Sequence, residues 1–88
     1  MIRQRVVVHG YVQAVGFRYS VRRLAQQRGV SGWVANRRDG AVEAVFEGEQ
    51  QAVEKLVDFC RTGPRGAQVD KVEVSQEEPE NLSGFTVR

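Results

Sequence analysis

Twice along these 88 residues a segment with the side-chain period of a strand gives way to an apolar stripe at helical spacing and then returns to strand period. Arg3 to Tyr11 is rich in β-branched valine and closes near Gly10, as a strand does. From Phe17 the period changes: Phe17, Val21, Leu24 and Ala25 share one face of an amphipathic helix, and Gly29 stands where such a helix stops. Gly32 to Asn36, with Trp33 and Val34, reads as a short strand, and Asp39-Gly40 as the turn of a hairpin. In Ala41 to Glu47 the residues Val42, Ala44 and Phe46 alternate with Glu43, Val45 and Glu47, which points one side of the strand at a core. Val53, Leu56, Val57 and Cys60 form a second helical stripe between Glu49 and Thr62, stopped by Gly63-Pro64. Val69, Val72 and Val74 mark another strand, the run EEPEN a polar turn, and Phe85 and Val87 a short final strand.

The order is therefore β-α-β-β-α-β with a terminal strand added. Each helix must bury its stripe against the sheet, and right-handed crossovers bring both helices to the same face. The pattern predicts an α+β fold, a ferredoxin-like split β-α-β sandwich with an antiparallel sheet and two helices on one face. Residues 1–88 are expected to form one domain, because a chain this short has room for one core and buries only about 60–65% of its unfolded surface. Strands 1 and 2 run parallel in that topology. The loop after the first and the end of the second then emerge at one edge, which collects Gln13 to Arg18 and Asn36.

One histidine, His9, and one cysteine, Cys60, leave no internal disulfide and no His/Cys zinc site, so neither a metal nor a cofactor is expected. Cys60 sits in an apolar stripe and reads as a small buried hydrophobe rather than the partner of His9 in a nucleophile pair. The apolar run nearest the start, Val6 to Val8, is far short of a signal sequence, and no run approaches the roughly 18 residues of a membrane span. A cytoplasmic location, a monomer and no membrane partner are expected. Net charge is only +2, but residues 1–40 hold eight arginines against Asp39 alone, whereas residues 41–88 hold five basic and ten acidic side chains. An anion belongs with the first half. Most of its arginines are read as solvated surface charges.

The segment from Gly10 to Arg18, GYVQAVGFR, joins a strand to the start of a helix, where backbone N–H groups lack partners and the macrodipole is positive. Gly16 lets the backbone approach a ligand closely, and no acidic residue fills the first turn. Arg18 stands there instead, although a cation at that end costs about 0.3–1 kcal/mol. Neither GxxxxGK[ST] nor GxGxxG is present, so these are not the phosphate loops of nucleotide-binding folds.

GYVQAVGFR resembles the phosphate-loop signature of the acylphosphatase family, and Gly32 to Gly48, GWVANRRDGAVEAVFEG, is similar to that family's second signature. The resemblance spans essentially the whole chain. It implies hydrolysis of the carboxyl–phosphate anhydride of a small acyl phosphate, with inorganic phosphate as product and no metal or cofactor. It further implies that Arg18 is the catalytic arginine, that Asn36 positions the attacking water, and that backbone amides of Ala14, Val15, Gly16, Phe17 and Arg18 hold the phosphate. The chain departs from the pattern at Ala14, where the family usually has glycine; if that position needs a positive φ, alanine adds strain.

The residues themselves agree with such a substrate. A guanidinium fork and several N–H donors suit the charge spread over the equatorial oxygens of a transferring phosphoryl group. No general acid is evident for an alkoxide, but a carboxylate, whose conjugate acid has a pKa near 4, leaves without one. His9 reads as structural, without a partner; Trp33, Phe17, Phe46 and Phe59 as core or sheet-face aromatics; Arg37 and Arg38 as exposed charge that steers an anion secondarily. Asn36 alternatively serves only as a turn residue. The competing function is a non-catalytic anion- or RNA-binding ferredoxin-like module. It lacks the aromatic pattern of an RNA platform, and Glu43 and Glu47 oppose a nucleic acid on strand 3, so no nucleic-acid partner is expected. A carbamoyl phosphate specialist inside a larger maturation protein is the third possibility, and it would need a following domain, which is not expected here.

Overall fold

A computed structural model describes all residues, 1–88. The elements follow the order expected: β1 (Ile2–Tyr11), α1 (Phe17–Arg28), β2 (Ser31–Asn36), β3 (Val42–Gly48), α2 (Gln50–Thr62), β4 (Gln68–Glu77) and β5 (Phe85–Val87). They build one five-stranded sheet in the order β4-β1-β3-β2-β5. The pairs β1–β3, β1–β4 and β2–β3 are antiparallel, which makes β1 and β2 parallel to each other across β3. The sheet is not wholly antiparallel, because β5 joins the outer edge of β2 in parallel, Gly32 facing Phe85 and Val34 facing Val87. The polar connection after β4 carries the chain across the sheet, so that β5 enters from the same end as β2 does.

Even-numbered residues of the central strands face the helices. Val6 and Val8 of β1, Val34 of β2 and Val42, Ala44 and Phe46 of β3 meet Phe17, Val21 and Ala25 of α1 and Val53, Leu56, Val57 and Cys60 of α2 in one core. α1 lies over β2 and β5, and α2 over β1 and β4. Val69 and Val72 are three apart, yet both pack toward this core; the register slips between His9 and Gly10, leaving Asp70 as the extra residue of a β-bulge. Gly10 makes the slip possible, since a Cβ there would lie 2.2 Å from the carbonyl oxygen of Gln68.

The other face of the sheet has no helix, and it corrects the reading of the arginines as solvated. Arg3 is paired by register with both Glu47 and Glu77, and only 4% of Arg3 and 2% of Glu47 are exposed. The Arg3 guanidinium donates to Glu47 and to Glu77 at 2.9 Å each, while Glu47 also accepts from the backbone amides of Glu80 (2.6 Å) and Leu82 (2.8 Å). Arg5 bridges Glu77 and Glu43. Trp33 lies between two guanidiniums on this face, 5.5 Å from Arg5 and 4.4 Å from Arg88. His9, expected to have no partner, is hydrogen-bonded through Nε2 to Glu73 at 2.6 Å.

Candidate active site

After β1 ends at Tyr11 the chain crosses five residues to reach the first turn of α1. Gly16 is the N-cap, held at φ 79° and ψ 16°, a left-handed conformation natural to glycine, and no side chain caps the helix. No acidic residue occupies the first turn. The first intrahelical bond runs from the Ser20 amide to the Gly16 carbonyl at 3.0 Å, and none of the amides from Ala14 to Tyr19 donates to a backbone carbonyl. Six consecutive donors are thus free at the positive end of a helix, an arrangement suited to an anion. Phe17 fixes the turn from below: it is buried, its ring meets Phe59 of α2 edge to face at 6.1 Å, and it abuts Gly63.

A cleft of about 130 Å³ opens at this point, lined by Val12, Ala14, Gly16, Phe17, Arg18, Tyr19 and Asn36. Five of the six residues singled out from the sequence therefore share one cavity. Val15, the sixth, packs its side chain against the core and offers only its amide. Ala14 has φ 62°, so the condition attached to the alanine is met: a residue with a Cβ sits where glycine would be unstrained. Arg18 is half-buried, and one terminal nitrogen donates to the carbonyl oxygen of Arg88 at 2.9 Å, which leaves the rest of its five-donor fork uncommitted.

Asn36 reaches the cleft from the other crossover. It is the last residue of β2, paired with Val42, and its even register places it on the helix-bearing side beside the start of α1. The turn that follows is closed by other groups. Arg37 donates its amide to Ala41, Asp39 accepts from the Ala41 amide at 3.1 Å, and Gln13 donates to the carbonyls of Arg37 and Ala41. The Asn36 carboxamide makes none of these bonds. The Ala41 amide and the Arg37 guanidinium hold the Asp39 carboxyl below the usual carboxylate range, so the turn stays charged and closed at neutral pH.

The remaining candidates fall outside. Cys60 is buried under α2, where burial pushes its thiol up to about 12, and His9 lies across the sheet on the helix-free face. Arg37 and Arg38 are exposed on the turn, Arg37 paired with Asp39 at 2.8 Å. Sequence reasoning gave no part to Val12 and Tyr19, and it placed Gln13 at this edge without a partner. Tyr19 follows Arg18 in the first helical turn, and that adjacency was the available signal; the long-range bonds of Gln13 had none in the sequence.

Comparison with known proteins gives a consistent set of relatives. A model of the family described as "Acylphosphatase" matches residues 4–87. An acylphosphatase of Trichormus variabilis is 53% identical over 88 residues, covering 100% of this chain and 87% of that protein. Among solved structures, acylphosphatase from Bacillus subtilis superposes with a TM-score of 0.95 at 36% identity, covering 100% of this chain and 99% of that one. An acylphosphatase from Coxiella burnetii gives 0.94 at 38% identity, covering 99% and 92%.

Proposed function

The chain belongs to the acylphosphatase family and is a hydrolase of acyl phosphates; from that premise we propose that Arg18 and the amides from Ala14 to Arg18 hold the phosphoryl group while Asn36 orients the attacking water. The observation that carries this reading is the convergence in one cleft of the free amides, the Arg18 fork and an Asn36 carboxamide with no structural duty.

Hydrolysis must move negative charge onto three equatorial phosphoryl oxygens while a water approaches in line with the departing carboxylate. The amides and the guanidinium are fixed before substrate arrives, so they stabilise that charge without reorganising. Asn36 is not a base at neutral pH. Its carboxamide accepts one hydrogen bond from the water and donates another, which sets the lone pair toward phosphorus, and the substrate phosphate takes up the proton. No carboxylate or imidazole lines the cleft to protonate a leaving group. A carboxylate is a weak base and leaves without such help. The chain acts, on this reading, as one domain and a single copy in the cytoplasm; no helix is long and apolar enough to cross a membrane. The alternative of an RNA platform is disfavoured because Arg3 and Arg5 on the open face are already committed to Glu47, Glu77 and Glu43, and a phosphate backbone would meet the exposed Glu73 there.

Release of inorganic phosphate from acetyl phosphate, followed with and without a metal chelator, tests the assignment. Turnover unaffected by chelator, with little activity on an alkyl phosphate monoester, is expected. Turnover that vanishes with chelator, or equal activity on both substrates, contradicts it.

A further inference from the structure

We infer that Gln13 is a positioning residue that sets Asn36 against the phosphate loop, an inference that rests on the water-orienting role assigned to Asn36 above. The loop that offers the amides and the hairpin that offers Asn36 belong to different crossovers, and their relative placement decides whether water meets phosphorus in line. Gln13 precedes Ala14 directly and is half-buried. Its Nε2 donates to the carbonyl oxygen of Arg37 at 2.7 Å and to that of Ala41 at 3.0 Å. A carboxamide nitrogen has two hydrogens, so both are committed to the hairpin.

The two acceptors flank the turn. Asn36 and Val42 form the last register pair of β2 and β3, and Arg37 and Ala41 form the next step, closed by the Arg37 amide on the Ala41 carbonyl at 2.8 Å. Gln13 therefore grips the hairpin one residue beyond Asn36. These are the only hydrogen bonds that join the segment from Val12 to Gly16 to the segment from Asn36 to Ala41. Other groups hold each segment internally: Asp39 and the backbone close the turn, and Phe17 anchors the loop. Without Gln13 both segments persist, held by the sheet and the core, but no hydrogen bond fixes the distance between them. A misplacement of about 1 Å in an otherwise intact site costs on the order of 10²-fold in rate.

Gln13→Met keeps the length of the side chain and removes both donors; Gln13→Glu keeps the shape and places a carboxylate against two carbonyls. Each is made in the wild type and in Asn36→Ala, and kcat for acetyl phosphate, competitive inhibition by inorganic phosphate and the urea midpoint are measured. In the wild-type background kcat is expected to fall roughly 10- to 100-fold, with the phosphate inhibition constant within about threefold of its starting value. In the Asn36→Ala background neither substitution should lower kcat further, because the group being positioned is already gone. Losses that multiply in the double variants overturn the inference while leaving Asn36 its role. Unchanged kcat in Gln13→Met, or a phosphate inhibition constant that rises in step with the loss of kcat, overturns it as well. Full activity of Asn36→Ala alone removes the premise, and the inference falls with it.

Discussion

Ala14 and Arg18 each break a local rule within five residues of each other, and the cleft gives a reason for only one of them. A cation in the first turn of α1 opposes the macrodipole, yet it brings a planar fork beside six free amides. Arg18→Lys should be nearly as damaging as Arg18→Ala, each lowering kcat on the order of 10³-fold, because an ammonium cannot bridge two oxygens in the fixed geometry of a guanidinium. Inorganic phosphate should raise the unfolding midpoint of the wild type and not of Arg18→Lys; equal protection of both would put the anion elsewhere. Ala14 at φ 62° carries a left-handed strain of about 1–2 kcal/mol with no contact in the structure that explains it. Ala14→Gly should therefore raise stability by about 0.5–1 kcal/mol after the added freedom of the unfolded chain is subtracted, read as a higher urea midpoint. A lower midpoint would mean that the alanine is not strained. Arg18 stood out as a cation in the first turn of a helix, whereas Asn36 at a strand end reads equally as a turn residue and was singled out by the resemblance of Gly32 to Gly48 to a family signature. The places of Tyr19 and Val12 and the hydrogen bonds of Gln13 were not legible, because they depend on the approach of two crossovers.

Among the elements, β1 makes its second contribution on the helix-free face. Its register sets Arg3 opposite Glu47 and Glu77, and Glu47 in turn holds the amides of Glu80 and Leu82, which ties down the connection that leads into β5. Burial pushes the Glu47 carboxyl up, but those two amides and the Arg3 guanidinium outweigh it and keep the group below the usual carboxylate value of 4.5. Arg5 and Arg3 lower Glu77 in the same way. With folded values depressed, the unfolded chain binds more protons between the folded values and the ordinary one, so this contribution is complete above about 4.5 and is lost as the pH falls through the folded values. Urea midpoints taken between about pH 6 and 3 should drop on acidification, and the drop should be shallower in Glu47→Gln. That variant should lose about 3 kcal/mol at neutral pH, since it leaves the buried Arg3 half paired; a variant as stable as the wild type with an unchanged pH profile would contradict the account. Both helices could be read from period and the strands from period together with β-branched residues and turn signals, but the three-residue spacing of Val69 and Val72 departs from strand period, and the bulge at Asp70 that explains it was not read from the sequence. The parallel pairing of β5 could not be read. A three-residue strand after a polar connection carries no mark of which edge it will join, and an arginine in a strand does not show whether register will set a carboxylate across from it.

Taken whole, the molecule divides its charge by face and by edge. The carboxylates of the second half neutralise Arg3 and Arg5 on the open face of the sheet, whereas Arg18, Arg37 and Arg38 gather at the end where β1 and β2 both finish. The net charge of +2 conceals this arrangement, and it leaves positive potential where an anionic substrate must enter. At that end the loop and Arg18 are assigned the phosphate and Asn36 only the water, so binding and chemistry must separate when Asn36 is removed. The most direct test is Asn36→Ala, with kcat and the competitive inhibition constant of inorganic phosphate measured on one preparation. The barrier is expected to rise by about 2–4 kcal/mol, seen in kcat, with phosphate inhibition nearly unchanged. An alanine variant that keeps its kcat, or one that loses phosphate inhibition as steeply as turnover, would contradict it.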